Sequence, residues 1–156
     1  MANVLGLSIG TRSMGIVIMQ GDELIDWRVK AYHEEWSDKK LRRIIRGIER
    51  LIVENCISSV GIKVPDRLPI SKGYMQLIGS LNVLIESMGL KAHYFTLGEL
   101  KDHYVPLLKG SKVSVVAHIL QRYPELTYEY RKTQKNTIYL KIFEAVAAAC
   151  YLQERS

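Results

Sequence analysis

The chain predicts an α/β domain built on a mixed five-stranded sheet, three antiparallel strands followed by two parallel ones, with helices on both faces. Short β-branched runs with turn signals between them crowd the first 32 residues. Two later apolar runs, "SVGIKV" and "AHYFT", each follow a long segment of helical spacing. Hydrophobic residues make up 47% and charged residues 24%, the balance of a chain that buries a core.

Taken in order, Val4–Leu7 is an apolar run stopped by Gly10, Gly15–Met19 is a second β-branched run, and Leu24–Tyr32 follows the turn signal Gly21-Asp22. Tight links of this kind make an antiparallel meander. Leu41, Ile44, Ile45, Ile48, Leu51 and Ile52 then recur at helical spacing over 38–56, with Ser37 as N-cap and Asp38 in the first turn. Ser59–Val64 reads as a buried strand ended by Pro65, and Ile70–Met88 as a helix closed by Gly89. Ala92–Thr96 is the fifth strand, and Thr96 caps a short helix through Tyr104. Ser111–Tyr123 is a helix halted by Pro124, the polar "TYEYRKTQKN" is a loop, and a last helix runs from about Asn136 to Gln153. The fourth and fifth strands each follow a long helix and so join the sheet in parallel. No repeat or long linker divides the chain, which reads as a single domain over 1–156.

The formal net charge is +6, a surplus that permits nucleic acid or another acidic partner without demanding one. No signal peptide or membrane-length apolar run is visible, which places the expected location in the cytoplasm, away from membranes. Cys56 and Cys150 lie in helical apolar patterns without metal-type spacing and read as buried free thiols. His33, His93, His103 and His118 are scattered, which gives a histidine metal cluster no support.

The element order and the hairpin "LGLSIGTRSMGIVI" resemble the RNase H-like superfamily, in particular the RuvC and YqgF Holliday-junction resolvases. The segments "GLKAHYFTLGELK", "GSKVSVVAHIL" and "KIFEAVAAAC" look like later pieces of the same family, so the resemblance spans Val4 to about Gln153. It implies an RNase H-like fold and DNA cleavage by two divalent ions, Mg2+ or Mn2+, held by four carboxylates. Such ions sit about 4 Å apart and clamp the attacking and leaving oxygens of a phosphodiester. It also implies a homodimer, by analogy alone.

Carried over residue by residue, the resemblance places the family's acids on Ser8, Lys63, Lys141 and Glu144, of which Glu144 alone is acidic. A unit pair about 4 Å apart at an effective dielectric near 20 interacts by roughly 4 kcal/mol, so two ammonium groups repel a divalent ion where carboxylates would attract it. The metal site therefore reads as lost, no cofactor is expected, and the chain reads as a pseudo-nuclease. Two replacements are open: a structural Lys63–Glu144 ion pair, or an anion pocket helped by the turn Gly10-Thr11-Arg12-Ser13.

Two further stretches point to phosphate contact. Lys39, Arg43, Arg46 and Arg50 fall on one stripe of the first helix, opposite its apolar face; a solvated helix face is the plain alternative. Tyr128 and Tyr130 stand beside Arg131, Lys132 and Lys135, a mixture that can stack on bases and hold phosphates, or simply form a loop. Glu99 and Asp102 read as surface acids, Trp27 and Trp36 as core or edge packing, and "EAVAAAC" as a small-residue face packed on the sheet. The expected function is binding of DNA or RNA with branched structure, or of a partner that processes it, without catalysis. Two rivals stand beside it. One is an active junction endonuclease with a rearranged site. The other is an actin- or sugar-kinase-like nucleotide binder, suggested by Gly10-Thr11 but short of the second domain such proteins close over the nucleotide.

Overall fold

A computed structural model describes residues 2–67, 71–104 and 112–155. Strand β1 (Asn3–Ser8) is the centre of a five-stranded sheet of order β3-β2-β1-β4-β5. It pairs antiparallel with β2 (Ser13–Gln20), which pairs antiparallel with β3 (Glu23–Ala31). On its other side β1 pairs in parallel with β4 (Ile57–Val64), and β4 with β5 (Ala92–Thr96). The meander and the two parallel additions are those the sequence predicts. The β2–β3 turn needs Gly21, whose φ of 59° lies in the left-handed region that disfavours side chains.

Alternation along β1 divides the core in two. Leu5 and Leu7 point to one face, where α1 (Asp38–Glu54) and α2 (Lys72–Ser87) cover them with Ile44, Ile48, Leu77 and Leu81. Val4 points to the other, under α3 (Leu97–Tyr104), α4 (Lys112–Arg122) and α6 (Leu140–Arg155). Each N-cap is local chemistry: Ser37 Oγ accepts from Lys40 N at 3.1 Å for α1, and Ser71 Oγ accepts from Tyr74 N at 3.1 Å for α2. The expected starts of two helices at Ile70 and Ser111 lie outside the described residues.

Two expectations are corrected. The "TYEYRKTQKN" stretch is not a loop. A 3-10 turn at Pro124–Leu126 leads into helix α5 (Thr127–Lys132), and a second turn, Thr137–Tyr139, leads into α6. Leu126 is fully buried and Glu129 nearly so, and Glu129 accepts from Trp27 Nε1 at 2.8 Å. That face ties the segment to the sheet despite its polar composition. Cys56, expected to be buried, is exposed, because it forms the turn between α1 and β4 with φ 49°. Cys150 is buried and both thiols are free.

Candidate functional site

The small-residue helix face performs the packing its composition predicts. A Cβ on Gly6 would lie 2.3 Å from Ala145 O, one on Gly15 2.2 Å from Lys141 O, and one on Gly61 2.8 Å from Ala148 O. Strands β1, β2 and β4 thus accept the backbone of α6 directly, and this closeness fixes where residues 141 and 144 can reach. Parallel pairing sets Ser8 opposite Lys63, and antiparallel pairing sets it opposite Gly15. The carboxyl ends of the parallel strands meet the first turns of α6 here.

Glu144 is 2% exposed and Ser8 1% exposed. Ser8 Oγ donates to Glu144 Oε1 at 3.2 Å, and Lys63 Nζ lies 3.1 Å from Glu144 Oε2. The ion pair open from the sequence therefore forms. Lys141 Nζ donates to Ser13 O at 3.1 Å, and a Cβ on Gly10 would meet the same ammonium at 2.4 Å. The ammonium thus sits on the hairpin turn. Tyr74 is also buried, and among the described residues its hydroxyl has no hydrogen-bond partner. Burial, then the charge of Glu144, pushes its ionisation well above the ordinary phenol range. The phenol therefore stays protonated and is available as a donor.

This donor set does not fit a pair of divalent cations. Such ions take several carboxylate and water oxygens, whereas here one carboxylate is already matched by an ammonium and a hydroxyl. Among the described residues, no three His, Cys, Asp or Glu side chains gather where they could hold a metal. The arrangement supplies neither a paired-metal clamp nor a free carboxylate to activate water.

On α1, which covers the other face of the sheet from α6, Lys39, Arg43, Arg46 and Arg50 all lie exposed, on the side away from Ile44 and Ile48. Arg43 pairs with Glu34, so the stripe does have an acid at its edge. Arg12 is exposed at the β1–β2 turn. The α5 residues divide. Tyr130 packs edge-on against Phe143 with centroids 6.2 Å apart, and Lys132 lies over the rings of Tyr128 at 4.2 Å and Tyr139 at 5.0 Å. Arg131 and Tyr128 are exposed. Thr96 Oγ1 caps α3 by accepting from Glu99 N at 3.1 Å, Glu99 Oε1 accepts in return from Thr96 N at 3.3 Å, and Asp102 is exposed.

The sequence pattern alone does not single out Lys40. It is 4% exposed on the buried side of α1, and its Nζ donates to Glu34 O at 2.8 Å. The available signal is its spacing, since Lys40 leads Ile44 and Ile48 at steps of four and so shares their face.

No family model matches the chain, and no curated protein does. Solved structures do. Thermus thermophilus RuvC in complex with a Holliday junction superposes with a TM-score of 0.73 at 11% identity, over 100% of this chain and 97% of that one. A second T. thermophilus RuvC structure gives a TM-score of 0.72 at 14% identity, over 98% and 96% of the two chains. At such identities the likeness is one of architecture. From end to end, the chain has the RNase H-like fold of RuvC.

Proposed function

We propose that this protein is a non-catalytic RuvC-like domain that binds branched nucleic acid. The observation that carries the reading is the buried Ser8–Glu144–Lys63 cluster at the place where the resemblance puts the metal-binding acids. It fills the site with an internal cation, and an exposed basic stripe lies on α1, which covers the other face of the sheet from α6. The RuvC of the same fold, solved on a Holliday junction, supports nucleic acid as the ligand class. In this proposal the domain acts as a homodimer, the state the resemblance implies, which sedimentation velocity measures.

The test uses fluorescence anisotropy with four-way junction, duplex and single-stranded oligonucleotides over a range of salt. Binding should favour the junction and weaken as salt rises. Replacing Arg46 and Arg50 with alanine should lower the salt slope by about 0.9 for each phosphate that is no longer neutralised. Incubation with Mg2+ or Mn2+ should leave the junction intact. Metal-dependent cleavage, or no salt-sensitive binding at micromolar protein, would overturn the proposal; the second result would leave a protein-docking role.

A further inference from the structure

Beside the β1–β2 turn, a cleft of about 740 Å³ opens between that turn, the end of β3, the start of α1 and the turn before α6. Its volume lies within the range of small-ligand sites. Thr11, Arg12, Tyr32, Trp36, Lys40 and Asn136 are among its walls. Nothing in the ion-paired cluster of Ser8, Lys63 and Glu144 uses these residues.

The cleft carries an unbalanced buried cation. A lysine is seldom buried unless it is paired, yet among the described residues no carboxylate lies within ion-pair distance of Lys40. Its ammonium has the Glu34 carbonyl at 2.8 Å and the rings of Tyr32 and Trp36 at 5.6 and 5.9 Å. Burial, and then the Arg12 guanidinium, press it toward the uncharged form. An anion between Arg12 and Lys40 would relieve both effects. Glu34 cannot serve, because its carboxylate is taken by Arg43; Glu35 and His33, also in the wall, are exposed.

The aromatic wall is set in advance. Trp36 Nε1 donates to Gln76 Oε1 at 2.8 Å, and the indole lies so close to α2 that a Cβ on Gly73 would come within 2.9 Å of it. Tyr32 is tied by its backbone N–H to Arg12 O at 2.8 Å. A fixed aromatic surface next to two cations suits a base joined to a phosphate, since every base has a π-face and every nucleotide in a strand an anion.

We propose that this cleft takes one unpaired nucleotide of a bound strand, its phosphate between Arg12 and Lys40 and its base against Trp36 and Tyr32. The inference rests on the nucleic-acid reading above and adds that unpaired nucleotides are preferred. A base stacked in a duplex is not free to enter.

The full-length protein is titrated against a labelled four-way junction that is fully paired, and against one carrying unpaired nucleotides at its centre. Lys40→Met, Trp36→Leu and Arg12→Gln are compared with the parent chain. Arg12 is exposed, so its variant keeps the test valid if a buried substitution fails to fold. The parent should favour the unpaired junction by about tenfold, the scale of one stacked base. Each variant should lose most of that preference, read as the ratio of its own affinities for the two junctions, so that any general loss of phosphate contact cancels. An unchanged preference in Arg12→Gln and in the folded buried variants overturns the inference and leaves the proposed function standing. If the parent binds no oligonucleotide, the proposed function fails, and titration with a nucleoside monophosphate decides the cleft. Quenching of tryptophan emission that Arg12→Gln abolishes would keep the site with a free nucleotide as its source, and no quenching would remove it.

Discussion

Replacing Lys63 with methionine keeps most of the side-chain length and removes the ammonium 3.1 Å from a carboxylate that is 2% exposed. At that distance and an effective dielectric of 20, the attraction is about 5 kcal/mol. Desolvation of both groups offsets much of it. Removing one partner of a buried pair nevertheless costs about 3 kcal/mol, because the other charge is left behind. Lys63 keeps 17% of its side chain exposed, which favours that lower figure over the upper end of the range. Glu144→Gln is milder, about 1.5 kcal/mol, because the amide still accepts from Ser8 and Lys63 can turn toward water.

The double variant removes both charges and should cost about 2 kcal/mol, well below the sum of the single losses, for a coupling energy of roughly 2.5 kcal/mol. Urea unfolding followed by circular dichroism reads all four proteins, with the slope checked for constancy before free energies are compared. Additivity within about 0.5 kcal/mol would mean that the pair is not coupled. Neutralisation of this cleft by Lys63 would then be refuted.

Gly6→Ala should cost about 3 kcal/mol or more, since its methyl group would be driven to 2.3 Å from Ala145 O and only movement of α6 off the sheet could admit it; a urea midpoint near that of the parent would refute the close packing of α6. Glu154 gives a pH signature. Burial alone would raise its carboxyl, but hydrogen bonds from His103 and Arg122 hold it below the ordinary value. A depressed folded-state value stabilises above the unfolded value, ~4.3 for a glutamate, and the benefit is lost as pH falls through the folded one. Glu154→Gln should therefore lower the melting temperature at neutral pH, and the gap should close on acidification. With the side chains of Arg122 and Glu154 33% and 35% exposed, the effect is screened to below about 1 kcal/mol; a gap that widens in acid would contradict the assignment.

The parts legible in the sequence are those governed by local periodicity. β1 and β2 are short hydrophobic runs between turn residues, and α1 declares itself through Ile44, Ile48 and Ile52. The misread parts are those where tertiary contact overrides composition. Helix α5 is polar in sequence, yet Glu129 is held under Trp27 and Tyr130 against Phe143, contacts that no local pattern encodes. Cys56 sits in an apolar pattern but occupies the left-handed residue of a turn, which carries it outward. The Lys63–Glu144 pair joins residues far apart in the chain and is visible in the sequence only through the resemblance. Lys40 escapes a reading that counts every lysine as solvated, although its helical phase puts it on the core side.

The strands and α6 approach each other so closely that whatever lies between Ser8, Lys63 and Glu144 is held by backbone geometry. Gly6, Gly15 and Gly61 keep α6 seated, so a carboxylate at position 144 is buried whether or not a counter-charge is present. A carboxylate that stays ionised there is stabilised by a cation, for example a dissociable metal or, as here, a lysine of the same chain. The lysine is the more restrictive choice. Its nitrogen lies 3.1 Å from Glu144 Oε2, and an ammonium there offers a metal no lone pair. The exposed cations of α1 and the cleft lined by Arg12 and Lys40 take no part in that ion pair.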